Sequence, residues 1–253
     1  LSLVVSNPLN TEDISQRSGS YIPSKTTLIV CPLSVLHQWY SEIKRHTQKD
    51  AMSVYIYHGA NRRGDLKYLT QFDIVLTTYA TLATEFPSQS KQAKGKKADI
   101  DLPIPHEKKG PILQVPWYRV ILDEAQTIKD RTTRTARAAF CLQAERHWCV
   151  TGTPIQNKLD DLFSLLHFLR VRPYGEHNWW NQIIMKPIRN RDERGFTRLQ
   201  TILQTIMLRR TKDQQINNQP IVALPPRNIA MHVCEFSEQE REFYKQLWDS
   251  SKS

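Results

Sequence analysis

The chain has 253 residues, of which 40% are hydrophobic and 24% charged, a balance typical of globular proteins that excludes a fibrous or wholly disordered chain. No apolar run reaches the roughly 18 residues of a membrane span. The four cysteines form no CxxC pair, which favours a reducing compartment over a disulfide framework or zinc cluster. The formal net charge of +10 favours a polyanionic partner, most simply nucleic acid. The opening LSLVVSNPLN lacks the basic start of a secretory signal. Together these observations predict a soluble, intracellular, basic protein.

Apolar runs and helical periodicity predict the elements in chain order. Short apolar runs predict strands over residues 27–31, 53–57, 73–78, 118–122 and 147–150. Helical spacing of apolar residues predicts helices over 35–43, 132–142, 159–169, 196–208 and 238–248, with Ser34 as the cap of the first.

The alternation of strands and helices predicts an α/β fold: three layers, with a mostly parallel sheet covered on both faces, followed by a helical extension. We expect the α/β lobe to span residues 1–170, and the helical protrusion and connector to span 171–253. Residues 86–116 are rich in Lys, Pro, Ser and Gln and are predicted to be an exposed, disordered insertion. Its lysines are either simply solvated or a non-specific DNA contact.

Polar residues follow three of the predicted strands at their carboxyl ends, where parallel sheets bind ligands. These are Thr77-Thr78, Asp123-Glu124 and Thr151-Gly152-Thr153. A strand ending in two carboxylates suits a nucleotide hydrolase, in which one acid holds Mg²⁺ and the other positions the attacking water. Taken alone, the acidic pair is better explained as a surface pair, and Gly152 followed by Pro154 as an ordinary turn. Their occurrence in order on successive strand ends favours the site.

Five ordered segments resemble motifs of the Swi/Snf-type ATPases of helicase superfamily two. Residues 120–126 (VILDEAQ) resemble the second helicase motif in its DEAQ form, and residues 147–157 (HWCVTGTPIQN) the third motif. Residues 28–39 (LIVCPLSVLHQW) and 74–79 (IVLTTY) resemble motifs Ia and Ib, and 207–212 (MLRRTK) a signature just past the first lobe. The chain is identified as a member of this family. The DEAQ spelling and the long insertion are most similar to the post-replication-repair branch, which includes the helicase-like transcription factor.

The resemblance implies the N-terminal RecA-like lobe of a motor with two such lobes. Such motors hydrolyse ATP with Mg²⁺ in the cleft between the lobes and move along double-stranded DNA in chromatin remodelling or DNA repair. The implied setting is the nucleus, and the implied partners are duplex DNA together with nucleosomes or repair proteins.

The resemblance also assigns roles to individual residues. Asp123 would hold Mg²⁺, Glu124 would activate water, and Gln126 would link the nucleotide site to the neighbouring motif. The residues that would couple nucleotide state to lobe movement are Thr151, Gly152 and Thr153. Those that would lie along a DNA strand are Pro32, Leu33, Ser34, Thr77, Thr78 and Tyr79. Arg209 and Arg210 would either clamp DNA phosphates or brace the lobe through carboxylates.

The family pattern is broken at one motif, because the sequence holds no phosphate-binding loop of the form GxxxxGK[ST]. We expect the parent protein to supply that loop and the second lobe, and the chain by itself to hydrolyse ATP at background level. Three functions stay open: the first lobe of a translocase, a non-hydrolysing DNA-binding or interaction module, and a strand-separating helicase.

Three tryptophans are interpreted individually. Trp39 is predicted to anchor its helix in the core rather than to stack on a base. Trp179 and Trp180 cannot both face inward on a regular helix, so one is expected to pack and the other to face outward.

Overall fold

A five-stranded parallel sheet is the centre of the computed structural model, which describes residues 2–6, 24–49, 51–87, 105, 108–211, 214–216, 219–220 and 228–251. The strands are β1 (Thr27–Cys31), β2 (Val54–Ile56), β3 (Ile74–Thr78), β4 (Pro116–Asp123) and β5 (Gln143–Val150). Their spatial order is β2-β3-β1-β4-β5, and all four pairings are parallel.

The sheet is covered on both faces. Every residue of β1 and β3 is buried, and successive side chains of a strand point to opposite faces, so neither face of the central strands is open to solvent. On one face, Leu36 and Ile43 belong to a core cluster with Ile29 and Ile74. The predicted three-layer α/β fold is therefore confirmed.

In the part of the chain that the structure describes, seven helices accompany the strands of the sheet region, of which the first precedes β1, the last follows β5 and the other five lie between strands along the chain. They are α1 (Ser2–Ser6), α2 (Leu33–His46), α3 (Leu66–Leu69), α4 (Tyr79–Glu85), α5 (Pro111–Gln114), α6 (Arg134–Phe140) and α7 (Asp160–Phe168), with a 3₁₀ turn over Ala125–Ile128. The predicted cap of α2 is wrong: Ser34 lies inside the helix, and the capping position is held by Pro32, whose fixed φ suits a helix start.

The insertion is shorter than predicted. Residues 88–104 and 106–107 lie outside the described residues, but Pro111–Gln114 is helical, and Ile112, Leu113 and Val115 are fully buried. These three apolar residues lie between Pro111 and Pro116 and are interrupted by Gln114, so the sequence showed no continuous apolar segment there. The two ends of the insertion meet where the Gly110 N–H donates to the Glu85 carbonyl oxygen at 2.9 Å.

Helical segments follow the sheet region, as predicted. They are α8 (His177–Trp180), a π-helical turn (Asn181–Met185), α9 (Lys186–Arg189), α10 (Glu193–Ile206) and α11 (Glu238–Ser250), with a small antiparallel pair of β6 (Gln215–Ile216) and β7 (Gln219–Pro220). The chain forms two compact units, 1–201 and 202–253, so residues 171–201, which we assigned to the extension, belong to the unit that contains the sheet. Across the described segments, no helix combines the length and apolarity needed to cross a membrane.

Trp179 and Trp180 behave as expected for adjacent helical residues. Trp180 is fully buried while Trp179 is 46% exposed. The indole N–H of Trp180 donates to Asp160 Oδ1 at 3.3 Å, so its burial leaves no unpaired donor.

Candidate functional site

The carboxyl ends of β1, β3, β4 and β5 lie along one edge of the sheet. Cys31 pairs with Thr78 and Asp123 with Val150 in the strand register. The residues that follow these strand ends are therefore neighbours in space, although β1 ends at Cys31 and β5 only at Val150. This edge is where open parallel sheets bind their ligands.

Asp123, the last residue of β4, is held by three hydrogen bonds. The indole N–H of Trp39 donates to Asp123 Oδ2 at 2.7 Å, and the backbone N–H of Glu124 donates to Oδ1 at 3.0 Å. The hydroxyl of Tyr79 donates to the backbone carbonyl of Asp123 at 2.7 Å. The carboxylate and the strand end are thus both fixed in position, in part by residues of α2 and α4.

Glu124 has an unusual backbone conformation. Its φ of 51° lies in the left-handed region, which costs a non-glycine residue about 1–2 kcal/mol. Its carbonyl oxygen accepts from the backbone N–H of Thr127 at 3.0 Å and from the Thr127 hydroxyl at 2.8 Å, and these bonds hold the conformation. The turn leaves the Glu124 side chain exposed at the crevice. Strain of this kind is concentrated at functional sites.

Gln126 joins the acidic pair to the loop after β5. Its Nε2 donates to Glu124 Oε2 at 2.7 Å, and its Oε1 accepts from the Thr151 hydroxyl at 2.6 Å. The Thr151 hydroxyl oxygen in turn accepts from the Thr153 backbone N–H at 3.0 Å. The structure therefore places four of the predicted site residues in one continuous hydrogen-bonded chain.

Gly152 lies between the two threonines with its surroundings open. A Cβ atom placed on Gly152 would meet no atom within 4 Å. The glycine is thus not required there by close packing.

Asp161, which the sequence analysis did not single out, organises the rest of this loop. Its Oδ2 accepts from the backbone N–H groups of Gln156 at 3.2 Å and Asn157 at 2.9 Å. Burial alone would raise the pKa of Asp161, but these backbone donors outweigh it and hold the pKa below its ordinary value. The available signal was an Asp placed shortly after a Gly-Thr-Pro turn, since such side chains often bind nearby backbone N–H groups.

Asp123 and Glu124 suit a magnesium ion that keeps most of its water or phosphate ligands, rather than a metal enclosed by protein side chains. No group of three or more His, Cys, Asp or Glu side chains able to enclose a metal is found among the described residues. Mg²⁺ is usually bound by one or two carboxylates, with water and phosphate oxygens completing its shell. Each Asp123 oxygen accepts one protein hydrogen bond and keeps a further lone pair, so the carboxylate fits this role.

The predicted DNA-facing residues at the start of α2 are accessible. Leu33 is 59% exposed, Ser34 is exposed and Pro32 is half-buried. Among the described residues no side chain caps this end of the helix. The Val35 N–H donates to the Pro32 carbonyl oxygen at 3.2 Å, so the N–H groups of Leu33 and Ser34 are the first-turn donors that the helix offers to an anion.

The other predicted DNA-facing segment is turned inward. Thr77 and Thr78 are buried, and Tyr79 is 7% exposed. The Thr77 hydroxyl donates to the Tyr57 carbonyl at 2.9 Å, and the Thr78 hydroxyl is 2.9 Å from that of Thr81. These hydroxyls are engaged within the protein, and a DNA contact from this segment would have to come from its backbone.

Arg209 and Arg210 are exposed and lie in the second unit, after α10. Their assignment as phosphate clamps or braces stays a prediction. The remaining site assignments made from the sequence also stay predictions about function, although the side chains of Asp123, Glu124, Gln126 and Thr151 lie at one edge of the sheet.

Comparison with known proteins agrees with this geometry. The SNF2-related domain matches residues 9–253. The chain is 44% identical over 234 residues to DNA repair protein RAD5A of Arabidopsis thaliana, covering 92% of this chain and 21% of the relative. It is 37% identical over 231 residues to the helicase-like transcription factor of Mus musculus, covering 91% of this chain and 21% of the relative. The chain thus spans about a fifth of the length of these relatives.

A solved structure matches the fold as well. The SWI2/SNF2 ATPase core of Sulfolobus solfataricus in complex with double-stranded DNA aligns with a TM-score of 0.56 at 29% identity, covering 77% of this chain and 36% of that chain. The five-stranded parallel sheet with its flanking helices is therefore the RecA-like fold of such a core. Sequence, fold and the acidic pair at the end of β4 lead to one conclusion: the chain belongs to the SNF2-related family.

Proposed function

We propose that this chain is the first ATPase lobe of a DNA translocase, which uses ATP and Mg²⁺ to move along duplex DNA in chromatin remodelling or DNA repair in the nucleus. The observation that carries the proposal is the hydrogen-bonded chain from Glu124 through Gln126 to Thr151, because it joins a water-activating acid to the neighbouring loop. The names of the relatives, a DNA repair protein and a helicase-like transcription factor, and the duplex in the related solved structure support it.

Each side chain has a defined part in this proposal. Bound Mg²⁺ would neutralise charge on the triphosphate as the terminal phosphoryl group is transferred. The fixed Asp123 carboxylate provides the protein ligand for that ion. Glu124, which accepts one hydrogen bond from Gln126, keeps lone pairs with which to orient a water molecule and take its proton.

Gln126 and Thr151 couple the Glu124 carboxylate to the loop after β5. Gln126 donates to Glu124 and accepts from Thr151, so a shift of the loop after β5 changes the position of the Glu124 carboxylate. Thr153 and Gly152 continue that loop. In this way the state of the nucleotide and the position of the loop depend on each other.

The duplex contact rests on the start of α2 and on charge. The N–H groups of Leu33 and Ser34, the first two of α2, can hold a phosphate without reading sequence. The surplus of ten positive charges favours a duplex partner held largely by electrostatic attraction. Nucleosomes and repair proteins are the proposed further partners.

The test is ATP hydrolysis by a protein that carries these residues together with a GxxxxGK[ST] loop and a second lobe. We expect duplex DNA to stimulate hydrolysis, and Glu124→Gln to lower the stimulated rate by about 100-fold or more while duplex affinity stays within about three-fold. Glu42→Gln, which removes a carboxylate paired with His46 on the surface of α2, is the matched control. Undiminished hydrolysis by Glu124→Gln would refute the assignment.

A non-hydrolysing DNA-binding module is the second candidate, favoured by the lack of a GxxxxGK[ST] loop within these 253 residues. We expect the chain by itself to hydrolyse ATP at background level, because the triphosphate charge is then poorly compensated. Salt-dependent duplex binding with no response to nucleotide, even in the longer protein, would favour the module. Displacement of an annealed strand by the longer protein would instead indicate a strand-separating helicase.

A further inference from the structure

Trp39 makes a contact with Asp123, at the carboxyl-end edge of the sheet, that its position in the sequence does not suggest. It lies on α2, 84 positions before Asp123, and its indole N–H donates to Asp123 Oδ2 at 2.7 Å. The ring itself packs against the core cluster that contains Leu36 and Ile43. Trp39 is therefore anchored in the core at one side and bonded to the carboxylate at the other.

Burial does not force this hydrogen bond. Trp39 is only half-buried, so the residue as a whole is not cut off from water. Trp117 is fully buried, and its N–H donates to a backbone carbonyl, that of Ile112, at 2.9 Å. The choice of the Asp123 carboxylate as partner for Trp39 thus calls for a reason beyond satisfying a buried donor.

The contact determines how the Asp123 carboxylate is oriented. One oxygen accepts from Trp39 and the other from the Glu124 backbone N–H. Two donors on opposite oxygens restrict rotation of the carboxylate plane, and hydrogen bonds to a charged acceptor are the stronger kind. Without the indole N–H, the hydrogen bond that the described residues still give to this carboxylate is the one from the Glu124 backbone.

The helix that carries Trp39 also carries the exposed segment Pro32–Ser34. Trp39 lies six positions after Leu33, which is about 9 Å along a helix axis. Because a helix moves as a stiff body over that distance, a displacement at its start reaches the indole. Tyr79, which donates to the Asp123 carbonyl, restrains the strand end separately.

We propose that Trp39 is a positioning residue that ties the orientation of the Asp123 carboxylate to the position of α2, so that duplex bound at the start of α2 alters metal binding at Asp123. This inference rests on the proposed function for its DNA partner. Its direct structural basis is the Trp39–Asp123 hydrogen bond, together with the packing of the indole ring in the core.

The first experiment uses the longer protein that carries both lobes. Trp39→Phe keeps an aromatic ring for packing but removes the N–H donor. We expect the Mg²⁺ concentration for half-maximal hydrolysis to rise about ten-fold, and Mn²⁺ binding measured by electron paramagnetic resonance to weaken in proportion. Trp180→Phe is the matched control, since it removes another indole–carboxylate bond, to Asp160, and should leave both quantities unchanged.

A second experiment uses the full 253-residue chain and needs no activity. The chain has six tryptophans, each with an indole N–H that ¹H–¹⁵N NMR can observe, and the resonance lost in Trp39→Phe is the one from Trp39. We expect this resonance to shift when Asp123→Asn is introduced and again when a short duplex is added to the wild-type chain.

The outcomes separate the two proposals. A Trp39 resonance that stays in place while other resonances show that duplex binds, or Mn²⁺ binding equal in Trp39→Phe and wild type, would overturn the positioning role. Absence of DNA-stimulated hydrolysis in the wild-type longer protein would instead overturn the proposed function, while Mn²⁺ binding would still test Trp39. If Trp39→Phe fails to fold, Trp39→Tyr provides the second variant, and a shift of one wild-type indole resonance on duplex addition retains the test.

Discussion

The two carboxylates at the end of β4 are held in position by hydrogen bonds from neighbouring side chains. Asp123 is oriented by Trp39, and Glu124 by Gln126, whose other end accepts from Thr151. Short hydrogen bonds of 2.6–2.7 Å join all three pairs. Removing one donor therefore changes the geometry of a carboxylate without removing the carboxylate.

Thr151 offers the sharpest test of this arrangement. Thr151→Val keeps the side-chain shape but removes the donor to Gln126 and the acceptor for Thr153. In the longer protein we expect DNA-stimulated hydrolysis to fall about ten-fold or more, because the Glu124 carboxylate loses its indirect restraint, while the melting temperature changes little. Thr197→Val, whose hydroxyl only donates to the Glu193 carbonyl on α10, is the control. Equal rates in the two variants would contradict the coupling role.

His147 on β5 makes stability depend on pH. Burial and the nearby positive charge of Arg170 lower its pKa from the ordinary 6.5 to about 4. Between pH 6.5 and about 4, His147 is protonated in the unfolded chain but neutral in the folded chain. The free energy of unfolding therefore falls as the pH drops below about 6.5. Between pH 7.5 and 5 the loss is about 2 kcal/mol.

The measurement is urea unfolding of the chain at the two pH values. His147→Phe keeps a ring against Phe168, which His147 meets edge-on, but it cannot titrate. We expect the variant to lose about 2 kcal/mol less than the wild type on acidification. Parallel losses in both proteins would show that His147 is not the group responsible.

At the scale of the elements, the neck of the insertion, formed by Glu85 and Gly110, is closed by a backbone hydrogen bond and by side-chain contacts. Buried Glu85 accepts from the Tyr57 hydroxyl at 2.8 Å and from Arg62 at 3.1 Å. Its side chain lies so close to Gly110 that a Cβ atom there would be 1.7 Å from Glu85 Oε2. The residues on either side of the insertion are thus held next to each other by a backbone hydrogen bond and by packing of the Glu85 side chain against Gly110.

Gly110→Ala tests this closure. The new methyl group must displace a carboxylate that two partners hold, so we expect a loss of about 1–3 kcal/mol in the free energy of unfolding. Gly152→Ala, where a Cβ atom meets nothing within 4 Å, should leave the free energy of unfolding nearly unchanged. The measurement is denaturant unfolding of both variants. Equal free energies of unfolding would mean that the Glu85 side chain moves away from residue 110 at little cost, and would contradict the prediction.

The element boundaries were predictable to different degrees. The buried strands were predicted within a few residues, because continuous apolar runs mark strands covered on both faces. β5 was predicted to start at residue 147 but starts at Gln143, since its first half carries Glu145 and Arg146 and does not read as apolar. The short helices α3, α4 and α5 were not predicted; α3 and α5 have only four residues each, too few to show a helical period.

At the scale of the whole molecule, charge is the property that a single measurement can test. Arg209 and Arg210 are exposed, and a phosphate contact by either would release counterions. We expect the chain to bind duplex with an affinity that falls steeply with salt, and Arg209→Ala with Arg210→Ala to reduce the log–log salt slope by about 1–2. The control is Arg194→Ala, whose guanidinium is already paired with Asp192 at 2.7 Å.

The result distinguishes the two roles left open for these arginines. A reduced slope with unchanged stability favours a phosphate clamp. An unchanged slope with a lower melting temperature favours a brace through carboxylates.

The sequence by itself determined the fold class and the family, because buried parallel strands and contiguous motifs can be identified from residues that are adjacent in the sequence. It also placed Asp123, Glu124, Gln126 and Thr151 at strand ends. Only the tertiary structure decided that Trp39 and Tyr79 bond to Asp123, that Thr77 and Thr78 are turned inward, and that Glu124 has a left-handed backbone. The physical reason is that hydrogen bonds between residues 44 and 84 positions apart depend on strand order and register, which no local pattern encodes.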